Sequence, residues 1–152
     1  MKTKYYYFYR MTEDTGNAPC VFEEHYKPTR LLTLACCKGG HVRHYKNGGV
    51  TPVKTGLRYT IGKENPETSK DDYYVIGILK DRVLYAARIC QAIKMIKYFS
   101  DKKYQNRMDC IYSVKDSCDE NDYKLERRKG SNNCFHGIKH KELHHHDELC
   151  EY

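Results

Sequence analysis

The densest set of side chains able to do chemistry lies near the C-terminal end, where Cys134, His136, His140, His144, His145, His146 and Cys150 follow one another closely, with Cys118 upstream. His140 and His144 stand four positions apart, as do His146 and Cys150, a spacing that puts each pair on one helical turn and suits zinc. The stretch holds no Cys-x-x-Cys pair and no single set of four ligands stands out. A His-rich polar tail that takes up metal only weakly is the plainer reading. A second group, Lys38, His41 and Arg43, follows an apolar run on a turn containing Gly39 and Gly40. Two glycines let a backbone approach a phosphate closely, and the cations would hold it; a solvated turn has the same composition. The third group is Arg107 and Asp109. Arginine is a fork of donors and aspartate an acceptor, so the pair would either read the polar edges of a base or form a structural ion pair at a helix end.

Signatures of the common enzyme classes are missing: no Walker loop, no His-Glu-x-x-His, no nucleophile elbow and no deaminase His-x-Glu with a downstream Pro-Cys-x-x-Cys. Cys36 or Cys37 beside His41 imitates a thiol with its base, but buried strand cysteines explain the pair more simply. The residue types therefore favour binding over catalysis.

The chain has 152 residues, enough for one domain with a real core. It carries 15 Tyr, 4 Phe and no Trp, and tyrosine suits both strands and binding walls. The net charge is +7, unevenly spread: residues 115–152 hold seven Lys/Arg against nine Asp/Glu, and residues 1–114 hold twenty against eleven. The basic excess belongs to the body of the domain and favours phosphate-bearing partners. No run reaches the roughly 18 apolar residues that cross a bilayer, and residues 1–10 lack the apolar stretch and cleavage site of a signal peptide. The expectation is a cytoplasmic protein, away from membranes, whose eight cysteines are reduced thiols or metal ligands.

The elements that must position these groups follow from pattern. Residues 4–9 read as an aromatic first strand, central in its sheet, and residues 30–37 as a buried strand. Residues 45–69, rich in Gly, Pro, Lys and Thr, read as an exposed excursion with little core, including short strands at 50–54 and 57–61. Residues 73–79 read as a strand, and residues 83–99 suit one long helix as well as a strand at 83–89; the favoured reading is a hairpin of 73–79 with 83–89 across Lys80-Asp81-Arg82, followed by a helix over about 93–103. From about residue 113 apolar residues are sparse.

In this order the segments resemble the nucleotide-modification-associated domains, small proteins similar to β-barrels of the PUA, EVE and ASCH types. The resemblance rests on Asp14-Thr15-Gly16-Asn17-Ala18-Pro19, on Leu32-Thr33-Leu34-Ala35-Cys36-Cys37-Lys38 running to Val42-Arg43, and on Tyr74-Val75-Ile76-Gly77 leading to Leu84-Tyr85-Ala86-Ala87-Arg88-Ile89. It ends with Tyr98-Phe99, Tyr104 and Arg107-Met108-Asp109-Cys110-Ile111-Tyr112. Gly39 stands where the family has proline and Tyr74 where it has tryptophan. An insertion of about twenty residues occupies part of 44–71, and the end lacks the apolar strand that closes such barrels. The resemblance implies a pocket at one barrel mouth that reads a nucleobase, modified or flipped. Tyr74 or Tyr85 would form its wall, with plain core packing the simpler role for Tyr85.

The expected fold is therefore α+β: a small PUA-like mixed β-barrel with one or two short helices over residues 1–115, carrying an exposed insertion at about 44–71. A polar Cys/His-rich tail follows at 116–152, with a degenerate barrel end as the alternative reading. The expected function is recognition of nucleic acid or a nucleotide, linked to nucleotide modification, through Lys38, His41, Arg43, Tyr74, Tyr85, Arg107 and Asp109. No cofactor is expected, unless Cys134, His136, His140, His144, His146 and Cys150 supply zinc ligands. The alternatives are a metal-dependent enzyme on nucleotides or modified bases, and an interaction protein that sequesters a host factor or signalling nucleotide; a modification enzyme or host protein would then be a partner.

Overall fold

Alternation of aromatic and apolar residues with solvent-facing ones makes strands the dominant element. The computed structural model describes residues 1–11, 19–23, 25, 27–35, 56–119, 122–128 and 152. In chain order they form β1 (Lys4–Arg10), β2 (Cys20–Glu23), β3 (Lys27–Thr33), α1 (Leu57–Lys63), β4 (Asp72–Leu79), β5 (Arg82–Ile89), α2 (Met95–Ser100), a 3-10 turn (Lys102–Tyr104), β6 (Tyr112–Asp119) and β7 (Asp122–Arg127). The protein is thus a small mixed α+β fold in which strands dominate. Lys38, His41 and Arg43 lie outside the described residues, as do Cys134, His136, His140, His144, His146 and Cys150.

The described strands form three sheets, ordered β1-β4-β5, β2-β3 and β6-β7, and among the described residues they do not close into a barrel. The 73–89 hairpin stands as expected, with Tyr73 opposite Ile89 and Leu79 opposite Arg82. Its two-residue turn, Lys80-Asp81, has positive φ at both positions (46° and 64°), the backbone that matches the twist of paired strands. Among the described residues the first strand is not central: β1 lies at the edge, running parallel to β4, and its charged ends, Lys4 and Arg10, suit an edge. The strand expected at 30–37 begins earlier, at Lys27, and ends at Thr33; Pro28 near its start fits a strand with a free side.

Residues 57–61 are helical, not extended. Leu57, Tyr59 and Ile61 satisfy a two-residue alternation, but the i, i+4 relation of Leu57 and Ile61 satisfies a helix too. Burial decides in favour of the helix: Arg58, Ile61 and Gly62 of α1 are buried. This part of the expected excursion therefore contributes to the interior. The helix expected over 93–103 is shorter. It breaks at Asp101, whose backbone is extended and whose side chain accepts from Lys103 N at the start of the 3-10 turn.

The main core gathers Ala35, Met95, Tyr98, Phe99, Tyr104, Cys110, Ile111, Tyr112 and Leu125. Phe99 meets Tyr112 edge-on at 5.2 Å. Leu125, on β7, is only 3% exposed and packs in this core, and β6 spans residue 115. Arg128 fastens the end of this hairpin, donating from its backbone N to Ile111 O and from its side chain to Gln105 O.

Candidate functional site

The β1-β4-β5 sheet has an inner face carrying Tyr73 and Val75, both buried. On this face opens a cavity of about 540 Å³ that β3, α1 and α2 also line. Its floor comes from Val75, Ala87 and Ile89. β3 and the residues after it supply one wall, from Arg30 to Ala35, α1 contributes Arg58 and Ile61, and Met95, Tyr98, Lys103 and Tyr104 close the far side. Tyr152 also lines it, its ring seated where a side chain on Gly62 would collide. A Cβ there would come within 2.3 Å of the ring, so only glycine permits this approach.

The cavity lining is mainly apolar, with cations and no Asp or Glu: Arg30, Arg58, Arg88 and Lys103 are the charged residues. Arg58 is buried and donates to the Ala35 carbonyl and, at 3.0 Å, to Met95 Sδ. Arg30 and Lys103 are exposed and form a cationic rim, whereas the Arg88 guanidinium belongs to the other face of the sheet, 2.9 Å from Asp72 Oδ1. Tyr98 and Tyr104 stack with ring centroids 4.7 Å apart, a rigid aromatic wall. An apolar cavity with a few polar groups and an aromatic wall, of this size, is the usual form of a small-ligand site.

Arg107 and Asp109 do not line this cavity; they hold its walls. Both are buried, at 3% and 0% exposure. Asp109 Oδ2 accepts from Thr33 Oγ1 at 2.7 Å and from Ala35 N at 3.3 Å, and Oδ1 accepts from Tyr98 OH at 2.6 Å. All three donors belong to cavity-lining residues. Arg107 donates to Thr29 Oγ1, to the Cys20 and Leu31 carbonyls and to Thr33 Oγ1 at 2.6–2.9 Å, with its Nε 4.0 Å from Asp109 Oδ1. Asp109 is the charged anchor of one wall, and Arg107 ties the β2-β3 hairpin to it. Burial, and then the charge of Asp109, push the Tyr98 hydroxyl far above the ordinary tyrosine range. It stays a donor at any physiological pH.

The two tyrosines expected in a pocket wall separate. Tyr85 lies over Gly77, where an added Cβ would meet its ring at 2.2 Å, and it meets Tyr9 edge-on at 5.8 Å. Tyr74 stands on the opposite, outer face of the sheet, stacked on Tyr6 at 5.2 Å. Neither lines the cavity. The residues that do come from β3, α1, β4, β5, α2, the residues that follow them and Tyr152; Thr33, Ala35, Val75, Ala87, Tyr98 and Tyr104 fell within motifs that drew attention in the sequence, whereas Arg30, Arg58 and Lys103 did not. Among the described residues no three His, Cys, Asp or Glu cluster as metal ligands, and no helix is long and apolar enough to cross a membrane. No family model, curated protein or solved structure matches the chain.

Proposed function

We propose that the protein is a recognition module for a nucleotide, or for a nucleic-acid base presented with its phosphate. The observation that carries this reading is the cavity whose lining joins apolar and aromatic walls to the cationic side chains of Arg30, Arg58 and Lys103, with no carboxylate side chain. A base finds an apolar, aromatic wall to pack against at Tyr98 and Tyr104, and its phosphate fits the rim of Arg30 and Lys103. A volume of about 540 Å³ accommodates a ligand of that scale. The resemblance of the motifs to nucleotide-modification-associated domains supports the same reading. In it, the strands correspond to a PUA-like barrel and the base is a modified or flipped one. The basic body of the domain assists encounter with such an anion.

The test is calorimetric titration with a panel of nucleosides and their monophosphates, plain and base-modified, at two salt concentrations. Monophosphates bind, nucleosides bind at least tenfold more weakly, and the Arg30→Ala, Lys103→Ala double variant loses about tenfold for the monophosphates, as expected when charge-assisted hydrogen bonds are removed. Equal binding of nucleoside and monophosphate, or none of either, overturns the reading.

A further inference from the structure

The outer face of the β1-β4-β5 sheet is assigned no role by the cavity. Strand pairing arranges it in rows: Tyr6, Tyr74 and Arg88; then Phe8, Ile76 and Ala86; then Arg10 and Ile78, with Val83 opposite. Lys4 and Asp72 precede the first row. Tyr6 is 51% exposed, Phe8 62% and Val83 62%. Folded chains seldom leave a continuous aromatic and aliphatic surface open to water without a use for it. The charge around it is one-sided. Lys2, Lys4, Arg10 and Arg88 stand against Asp72, and that carboxylate is already engaged at 2.9 Å by both Lys2 and Arg88.

We infer that this face is a track for single-stranded nucleic acid, on which Tyr6 and Phe8 each stack a base while Lys4 and Arg10 meet the flanking phosphates. The inference rests on the nucleotide-binding reading and extends it from one base to a strand. Three physical points favour this occupant over a protein surface. Cations at both ends of an aromatic strip match a polyanion that carries flat rings. Tyr6 is backed on one side by Tyr74, at 17° between planes, so its ring is held fixed with the other side open to a base. Tyr6 and Phe8, two residues apart on one strand, are separated by about 6.6 Å, roughly twice the 3.4 Å rise between stacked bases of a duplex. Both rings can be occupied only by bases that have been unstacked, which a single strand allows and a duplex does not. Sheets that read RNA stack two or three bases on surface aromatics in this way.

The experiment is fluorescence anisotropy with a labelled single-stranded 12-mer and the matching duplex, run beside nucleoside monophosphate titration on the wild type and on Tyr6→Ala, Phe8→Ala. Both positions are exposed, so the variant keeps its fold, and an unchanged melting temperature confirms it. The expected result is binding of the single strand over the duplex, an affinity loss of at least about tenfold in the variant, and monophosphate binding that does not move. Strand binding that ignores the substitutions overturns the inference and leaves the cavity reading intact. Loss of monophosphate binding in the wild type overturns the cavity reading instead. A concentration-dependent dimer that is abolished by Tyr6→Ala, Phe8→Ala, with no strand binding, also overturns the inference and makes the face a contact between copies of this chain.

Discussion

Asp109 shows what a single buried charge does for this site. It carries no exposed surface, and its carboxylate receives the Thr33 hydroxyl, the Ala35 amide and the Tyr98 hydroxyl. A buried carboxylate is tolerable only when its lone pairs are filled and a counter-charge is near, and Arg107 supplies that charge. Asp109→Asn keeps the shape but removes the charge and turns one acceptor into a donor facing other donors. The expected cost is about 3–5 kcal/mol, read as a lowered urea midpoint. Thr33→Val, which deletes one neutral partner, costs about 1 kcal/mol. A loss in Asp109→Asn no larger than that of Thr33→Val would mean that the charge does not organise the wall. In the sequence, Arg107 and Asp109 are recognisable as a donor–acceptor pair with two readings. Choosing between them needs their partners at residues 20–35, more than seventy positions away, and no local pattern carries that information.

Among the elements, those whose pattern admits one periodicity are legible. β4 is a continuous apolar run ended by a charged two-residue turn, whereas β5 taken alone suits a helix as well as a strand, and its pairing with β4 decides for the strand. α1 fails the same test because Leu57, Tyr59 and Ile61 obey both periods, and the choice rests on tertiary burial of Arg58 and Ile61. The register of the hairpin carries a further commitment. A bulge lies beside Gly77, and the Tyr85 ring occupies the space where a side chain at 77 would stand. Gly77→Ala therefore overpacks this point, at about 1–3 kcal/mol. In a Tyr85→Ala background the ring is gone and most of the penalty disappears. The double-mutant cycle should show a coupling of about 0.5–3 kcal/mol. Additive effects would remove Tyr85 from this packing role and reopen its place in a binding wall.

At the scale of the whole molecule, the thiols and tyrosines whose pKa moves among the described residues all move upward. Burial raises the Cys20 thiol, lifts the Cys110 thiol to about 11, and moves the Tyr98 and Tyr7 hydroxyls upward, with the Glu64 and Asp109 charges adding to the tyrosine shifts. Each of these groups is neutral in the folded chain and more acidic once unfolded. A folded pKa above the unfolded one contributes stability that is whole below the unfolded value and is lost as pH rises toward the folded one. The unfolded values are 9.0 for the thiols and 10.0 for the tyrosines. Stability should therefore be flat at neutral pH, begin to fall near pH 9 as unfolded thiols release protons, and fall more steeply above pH 10. The Cys110 contribution alone is on the order of 2 kcal/mol and is spent by about pH 11; the tyrosine part continues beyond it. Urea unfolding between pH 7 and 11.5 measures this directly, and Tyr98→Phe provides the control. The phenylalanine variant is less stable at pH 7, because Asp109 loses a donor, yet its stability falls less between pH 10 and 11.5 than that of the wild type. Parallel curves for the two proteins would mean that Tyr98 is as free to ionise in the folded state as in the unfolded one, and the buried network that holds the cavity wall would have to be redrawn around a different donor.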